Sequence, residues 1–343
     1  MKSIPLVRNG LISPIISFFN DIGTPIQSHL NQFNIPLVVL EDPEIALPLP
    51  MILKFLSKVA KAEGINNLGI TVAENSKIIN TGMFGYLLSQ SLNTYDLLKR
   101  LCYFTRYTIS TSGEIFWLIE EEENVWLCQK FVKPLTSISG FYHSDYYSVV
   151  LMLDSLKLTL DDLSKIPEIH IVSCSKKAKG LDKIIDLDKT IVGFNQPFTA
   201  ICIPRELLNY PVKIKHKTQI HSEKLNVEQW QNTAPVNDFV SSLEQTVKAL
   251  LLDKYPTIEI TAEATGLTVR SLQRYLSQHN LTYSQLMDKV RYEWALSLLN
   301  NRDISLIEIS YTLGFKDPAN FSHSFRRWTG VSPSKFRKYL LSH

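Results

Sequence analysis

Cysteine is scarce in this chain: four in 343 residues, at positions 102, 128, 174 and 202, with no C-x-x-C spacing. That excludes a disulfide-rich secreted scaffold and leaves no zinc-ligand pattern. Cys102, Cys128 and Cys202 lie in apolar stretches and read as buried free thiols of a reducing cytoplasm. Long apolar runs are missing as well. The stretch Leu11-Ile12-Ser13-Pro14-Ile15-Ile16-Ser17-Phe18-Phe19 is too short to span a bilayer. Its proline, and the Asn20-Asp21 that follows without a small-residue cleavage site, set it apart from a signal peptide. It reads as the first buried helix, and no membrane partner is expected.

An excess of one charge sign is lacking too, since Lys+Arg 36 against Asp+Glu 33 leaves only +3. The surplus is local. Residues 237 to 343 carry 13 Lys/Arg against 10 Asp/Glu, and within Gly314 to His343 there are six basic residues to one acidic. A basic C-terminal segment of this kind suits phosphates.

Motifs for chemistry are absent: there is no P-loop, G-x-G-x-x-G, H-E-x-x-H or G-x-S-x-G. Three weaker patterns have plainer readings. His143 and Asp145, beside Tyr142, have the types of an acid–base pair but read as the polar start of a helix. Ser332-Pro333-Ser334-Lys335 matches S-x-x-K, yet serine before proline is how a helix begins, with serine as N-cap and proline at N1. Glu120 to Glu123 read as a solvated hairpin tip, not a cation cage. No catalytic residue, metal site or cofactor is expected.

What is present divides the chain. At this length two or three domains are expected. Helical spacing runs over Ile12 to Phe33, Leu49 to Glu63, Gly85 to Tyr107 and Ser144 to Leu156. Two aromatic-rich strands, Ile115 to Ile119 and Val125 to Phe131, form a hairpin. Ile169 to Val172 and Thr199 to Ile203 read as buried strands. Residues 1–205 are therefore an α+β domain. Its aromatics Phe84, Phe104, Trp117, Trp126, Phe131 and Phe194 either line a ligand cavity or fill the core. Residues 206–236, with Lys213, Lys215, Lys217, Lys224, His216 and His221 among polar residues, read as a solvated linker.

Residues 237–343 read as all-helical and carry one unit twice. Helical apolar spacing through Phe239, Leu243, Val247 and Leu250 leads into Ile258 to Thr265, which Gly266 ends. Thr268 caps the next helix. There Leu272 and Leu276 point inward, while Arg270, Gln273 and Arg274 lie on the outer face. Thr282-x-x-Gln285 opens a long helix to about Asn300, whose inner residues are expected at Leu286, Val290, Trp294 and Leu298, with Arg291 structural. Ser305-x-x-Glu308 is a capping box that starts the second unit. Ile309 and Leu313 face inward, Gly314 ends the helix, and Asp317-Pro318 begins another. Phe321, Phe325 and Trp328 share one face; Asn320, His323, Arg326 and Arg327 share the other. This is the helix-turn-helix pattern, whose second helix enters the DNA major groove. Arg270 and Arg274 suit guanine edges or phosphates. Asn320 and His323 lie on the first two turns, where base edges are reached. Thr268, Ser271, Arg326, Arg327 and Lys335 suit the phosphate backbone, and Arg337 and Lys338 are expected to add to that grip.

The run Ile309-Ser310-Tyr311-Thr312-Leu313-Gly314-Phe315, with Phe321-Ser322, Phe325-Arg326-Arg327-Trp328, Gly330-Val331-Ser332-Pro333 and Leu272-Gln273-Arg274, closely resembles the DNA-binding module of AraC/XylS-family transcription regulators. The resemblance covers about a hundred C-terminal residues. It implies two helix-turn-helix units reading adjacent major grooves of double-stranded promoter DNA. Base contacts are implied at Arg270, Gln273 and Arg274 in the first unit and near Asn320 and His323 in the second. Residues 11 to 107 read as helix, not as the many short strands of a sugar-binding jelly roll. With Leu68-Gly69 and the Gly85-Tyr86 helix they resemble the sensor domain of the ornithine-utilisation-regulator branch. The family then implies a cytoplasmic, nucleoid-associated homodimer that answers a small-molecule effector and activates through RNA polymerase. The residues alone leave two alternatives, a dimeric DNA-binding regulator without a ligand and an enzyme with a DNA-binding tail.

Overall fold

The computed structural model describes residues 3–111, 114–131, 140–213 and 227–340. Strands β1 (Leu6–Arg8) and β2 (Ala46–Pro48) pair antiparallel, with Val7 opposite Leu47. Between them run α1 (Ser13–Asp21) and α2 (Ile26–Gln32), where the spacing predicts a single helix. The break falls at Gly23-Thr24-Pro25: Gly23 is left-handed at φ 80, and Pro25 has no N–H to continue the ladder. Helix α3 (Leu49–Ala62) follows its predicted span, with Pro50 in the first turn where its missing N–H is harmless.

Next come α4 (Leu68–Thr71), α5 (Met83–Ser89) and α6 (Thr94–Phe104). The helix expected over Gly85 to Tyr107 is interrupted because the Asn93 side chain accepts the Asp96 N–H and caps α6 afresh. A π-helical turn, Thr105–Ile109, carries the chain to the sheet.

That sheet contains β3 (Glu114–Glu120), β4 (Asn124–Phe131), β5 (Glu168–His170), β6 (Ile191–Gly193) and β7 (Thr199–Pro204), in the order β3-β4-β7-β5-β6. Only β5 and β6 pair in parallel. The β3–β4 hairpin closes around Glu121 to Glu123, all exposed, and Arg205 ties the Glu121 carbonyl at 2.7 Å. The helix α7 (Phe141–Leu156) is buried along most of its length. Its polar start is structural. His143 Nδ1 accepts the Leu68 N–H at 3.0 Å, and buried Asp145 accepts from Ser173 N–H and Thr199 Oγ1, each at 2.8 Å.

Helix α4 lies against α7 so closely that a Cβ on Gly69 would meet the His143 carbonyl oxygen at 2.3 Å and the Tyr147 nitrogen at 2.5 Å. Gly85 is equally constrained, with the Ile78 carbonyl oxygen 2.0 Å from its missing Cβ. Both obstacles are backbone, so neither side can yield by a rotamer change. Gly69→Ala is expected to destabilise the protein by about 1–3 kcal/mol, the usual cost of overpacking. A chemical-denaturation midpoint checks this, and an unchanged midpoint would mean that α4 slides freely on α7.

Two apolar cores support the C-terminal helices. The first joins Phe239, Leu243, Val247, Leu272, Leu276, Leu286 and Val290, and it also takes in Ile4 and Leu6 from the chain start. The second joins Ala295, Leu299, Ile309, Leu313, Phe321 and Phe325. The region read as a solvated linker holds α8 (Val227–Asn232), whose Trp230 is fully buried against Phe104 and Arg8. Lys215, His216, Lys217, His221 and Lys224 lie outside the described residues. Lys213 pairs with Asp161.

Candidate nucleic-acid interface

The C-terminal helices are α9 (Phe239–Leu251), α10 (Ile258–Ala264), α11 (Val269–Gln278), α12 (Tyr283–Leu299), α13 (Leu306–Thr312), α14 (Pro318–Thr329) and α15 (Pro333–Leu340). In the first unit α10 stops at Gly266, left-handed at φ 71. Such a backbone favours glycine because it has no Cβ to clash. Thr268 caps α11, accepting the Ser271 N–H at 3.1 Å and donating to Ser271 Oγ at 3.0 Å. Leu272 and Leu276 are buried, which turns Arg270, Gln273 and Arg274 to solvent. The Arg274 guanidinium rests over the Tyr275 ring, 5.0 Å from its centroid.

The second unit repeats the construction. Ser305 and Glu308 form a reciprocal capping box on α13, and Gly314 turns the chain at φ 70. Asp317 accepts the Ala319 N–H at 2.6 Å, with Pro318 in the first turn of α14. Phe321 and Phe325 are buried and Trp328 packs against them, so Asn320, His323, Arg326 and Arg327 are exposed together. Arg327 donates to Asp288 of α12 at 2.8 Å. Arg327 is largely in water and Asp288 is one-third exposed, so the pair holds weakly and can give way to a phosphate. Lys335 is exposed at the start of α15, where Ser332 accepts its N–H as the N-cap. Arg337 departs from the expected phosphate grip, because its Nε donates inward to the Leu299 carbonyl at 3.2 Å.

Helix α12 joins the units. Its Thr282–Gln285 capping box is complete, and its seventeen residues extend roughly 26 Å. Its buried face is Leu286, Met287, Val290, Ala295 and Leu299, with Trp294 and Leu298 only partly covered. Arg291 reaches from α12 to the turn of the second unit. Its guanidinium donates to the Leu313 and Gly314 carbonyls, each at 2.9 Å, and stacks on Phe315 at 4.1 Å and Tyr255 at 4.6 Å. The arrangement is two capped helix pairs on one rigid strut, each presenting a polar helix face.

The structure also contains a mainly apolar cavity of about 80 Å³ in the N-terminal region. Of the aromatics named from the sequence, Phe84 and Phe131 line it. The rest serve packing: Phe104 lies against Trp230, Trp117 against Phe198 and Trp126 against His170. Phe194 packs against the main core. Sequence reasoning missed Glu114, the one carboxyl among the described residues that line the cavity, because it sits at a strand end in a polar stretch. Among the described residues no cluster of three or more His, Cys, Asp or Glu is placed to hold a metal ion, and no helix is long and apolar enough to cross a membrane.

A family described as a helix-turn-helix domain matches residues 261–339, covering both units and the strut between them. The C-terminal module belongs to the AraC/XylS family. Among similar proteins, the Ornithine utilization regulator of Pseudomonas aeruginosa is 34% identical over 148 residues, 42% of this chain and 43% of its own length. The HTH-type transcriptional regulator VqsM of the same organism is 42% identical over 85 residues, 25% of this chain and 26% of its own. These two alignments thus reach less than half of each relative. An uncharacterized HTH-type transcriptional regulator of Mycobacterium bovis is 22% identical over 329 residues, 93% of this chain and 92% of its own. The AraC/XylS module here keeps the left-handed glycine and the N-cap in both units, and these features place its two polar helices outward.

Proposed function

We propose that this protein is a sequence-specific transcription regulator, an activator, that binds double-stranded promoter DNA through residues 237–343. The observation that carries this reading is the pair of exposed polar helix faces, α11 and α14, held by one strut. Among the described residues, the side chains of Arg270, Gln273, Asn320, His323 and Arg326 have no hydrogen-bond or ion-pair partner within the protein. They are free to meet base edges and phosphates. Thr268 and Ser271 sit at the start of α11, where a phosphate would approach the helix N-terminus.

In the same reading, residues 1–205 sense a small molecule and support a homodimer, residues 206–236 connect the domains, and no catalysis is involved. RNA polymerase recruitment follows from the family. A contact path supports coupling between the domains. On β1, Val7 lines the cavity, Leu6 enters the core of the first helix-turn-helix unit, and Arg8 grips Trp230. Ornithine is not proposed as the effector: among the described residues lining the cavity there is no basic side chain to receive an amino acid's carboxylate.

Footprinting on the gene's own upstream region tests the DNA reading. Arg274→Ala and His323→Ala are each expected to cost about 1–3 kcal/mol on that promoter, with specificity relaxed at different half-site positions. Normal binding by both variants would overturn the recognition-helix assignment.

A further inference from the structure

We propose that the N-terminal cavity binds a small aliphatic monoamine, its ammonium on Glu114 and its hydrocarbon body against the apolar wall. This rests on the reading that residues 1–205 sense an effector. The wall is aliphatic and aromatic, built by Val7, Ile12, Ile52, Phe84 and Leu101 among others. Its volume, about 80 Å³, leaves room for roughly six water-sized groups.

The polar lining is rich in acceptors. Gln129 Nε2 donates to Glu114 Oε1 at 2.9 Å, and Ser148 Oγ, whose shorter bond runs to the Ser144 carbonyl at 3.0 Å, shares its proton with the same oxygen at 3.4 Å. Both donors favour an ionised carboxylate, yet among the described residues no Lys, Arg or His lines the cavity to balance it. Oε2 has no hydrogen-bond partner there either. Ser110, 3% exposed, also lines the cavity, and its Oγ makes no hydrogen bond. A buried hydroxyl without a partner is costly unless something fills the place. An ammonium supplies both the missing counter-charge and three donors. A carboxylic acid would set a second acceptor against Glu114, and an alcohol would leave the charge unbalanced.

Burial pushes the Glu114 carboxyl up to about 7, against the donation from Gln129 and Ser148. Among the described residues, Tyr147 is the other titratable group that lines the cavity. Tyr147 of α7 donates to the Leu11 carbonyl at 2.8 Å, and burial moves its hydroxyl well above the usual range. Lys130 of β4 is exposed and alternates to the other face of the sheet from Gln129. An amine binds the ionised carboxylate, so its affinity rises as pH climbs through 7. With that midpoint, the ionised fraction grows about tenfold from pH 6 to pH 8.

The test is calorimetric titration of the full chain with n-pentylamine, 1-pentanol and pentanoate at pH 6 and pH 8. Pentylamine is expected to bind, about tenfold tighter at the higher pH, and Glu114→Gln is expected to abolish its binding. Ser110→Ala, the milder second variant, is expected to weaken the amine severalfold while keeping the native circular dichroism spectrum. The proposal is overturned if pentanol or pentanoate binds as tightly as the amine, if the amine does not bind, or if both variants bind it normally. Promoter footprinting on the same preparation reports separately on the DNA reading. An intact footprint with no amine binding overturns the cavity proposal alone.

Discussion

Arg8→Ala is expected to cost about 3–5 kcal/mol of unfolding free energy, the loss usual when one partner of a buried charged network is removed. Arg8 is 1% exposed, and its guanidinium is fully used. Nε donates to the Thr108 carbonyl at 2.6 Å, Nη1 to the Glu44 carbonyl at 2.8 Å and Nη2 to the Trp230 carbonyl at 2.6 Å. It stands 3.5 Å from the Glu44 carboxylate and 4.8 Å from the centre of the Trp230 ring. Burial lowers its pKa to about 10, so it remains charged at neutral pH, and the same burial raises Glu44. Alanine would take the donor from the Thr108 and Glu44 carbonyls, leave the Trp230 carbonyl to Thr233 alone, and leave Glu44 without its cation. Arg8→Met separates the two contributions, because it keeps the apolar stem against Trp230 and removes only the donors. Chemical denaturation should show most of the loss in both variants. If Arg8→Met were as stable as the parent, the hydrogen bonds would not be the source. Hydrogen exchange at α8 should accelerate in step, since Trp230 is the one point where Arg8 holds that helix.

The parts of the fold legible in the sequence are those set by local chemistry. Caps at Thr268, Thr282, Ser305 and Asp317 need only a few neighbouring residues, and so do the left-handed turns at Gly266 and Gly314. The two helix-turn-helix units could be placed from those signals together with the inward Leu272, Leu276, Phe321 and Phe325. The hairpin was legible because β3 and β4 are adjacent in the chain. What escaped was non-local. The β1–β2 ladder joins three-residue strands almost forty residues apart, too short for alternation to show. Ile4 and Leu6 look like part of any apolar start, and nothing near them indicates that they complete the core under α11. Arg8 resembles a surface arginine until Thr108, Glu44 and Trp230 converge on it. The glycines at 69 and 85 carried the family resemblance without a stated reason, and backbone contact across α4–α7 and against Ile78 supplies it. On the DNA side, the outward placement of Arg270, Gln273, Arg274, Asn320 and His323 followed from helical spacing. The inward turn of Arg337 did not, because its partner carbonyl lies on another helix.

Arg291→Ala is expected to weaken promoter binding by about a hundredfold while leaving the first unit able to bind a half-site. The reason lies in how two units share one strut. Tethered sites that bind together gain affinity of order 10²–10⁴ over either alone, provided their spacing is held. Here the spacing depends on how the turn of the second unit is fixed to α12. Arg291 does that with two charge-assisted hydrogen bonds, to Leu313 and Gly314, and with its plane between Phe315 and Tyr255. Lysine restores the charge but not the fork or the stacking, so Arg291→Lys should recover little. The helix faces proposed to meet DNA are untouched in either variant, which separates this result from that of Arg274→Ala. Footprints should shrink from two adjacent major-groove segments to the one under α11, and binding should become less sensitive to salt as phosphate contacts near α14 and α15 are lost. A full two-segment footprint at unchanged affinity would show that the apolar core around Phe321 and Phe325 orients the second unit without Arg291.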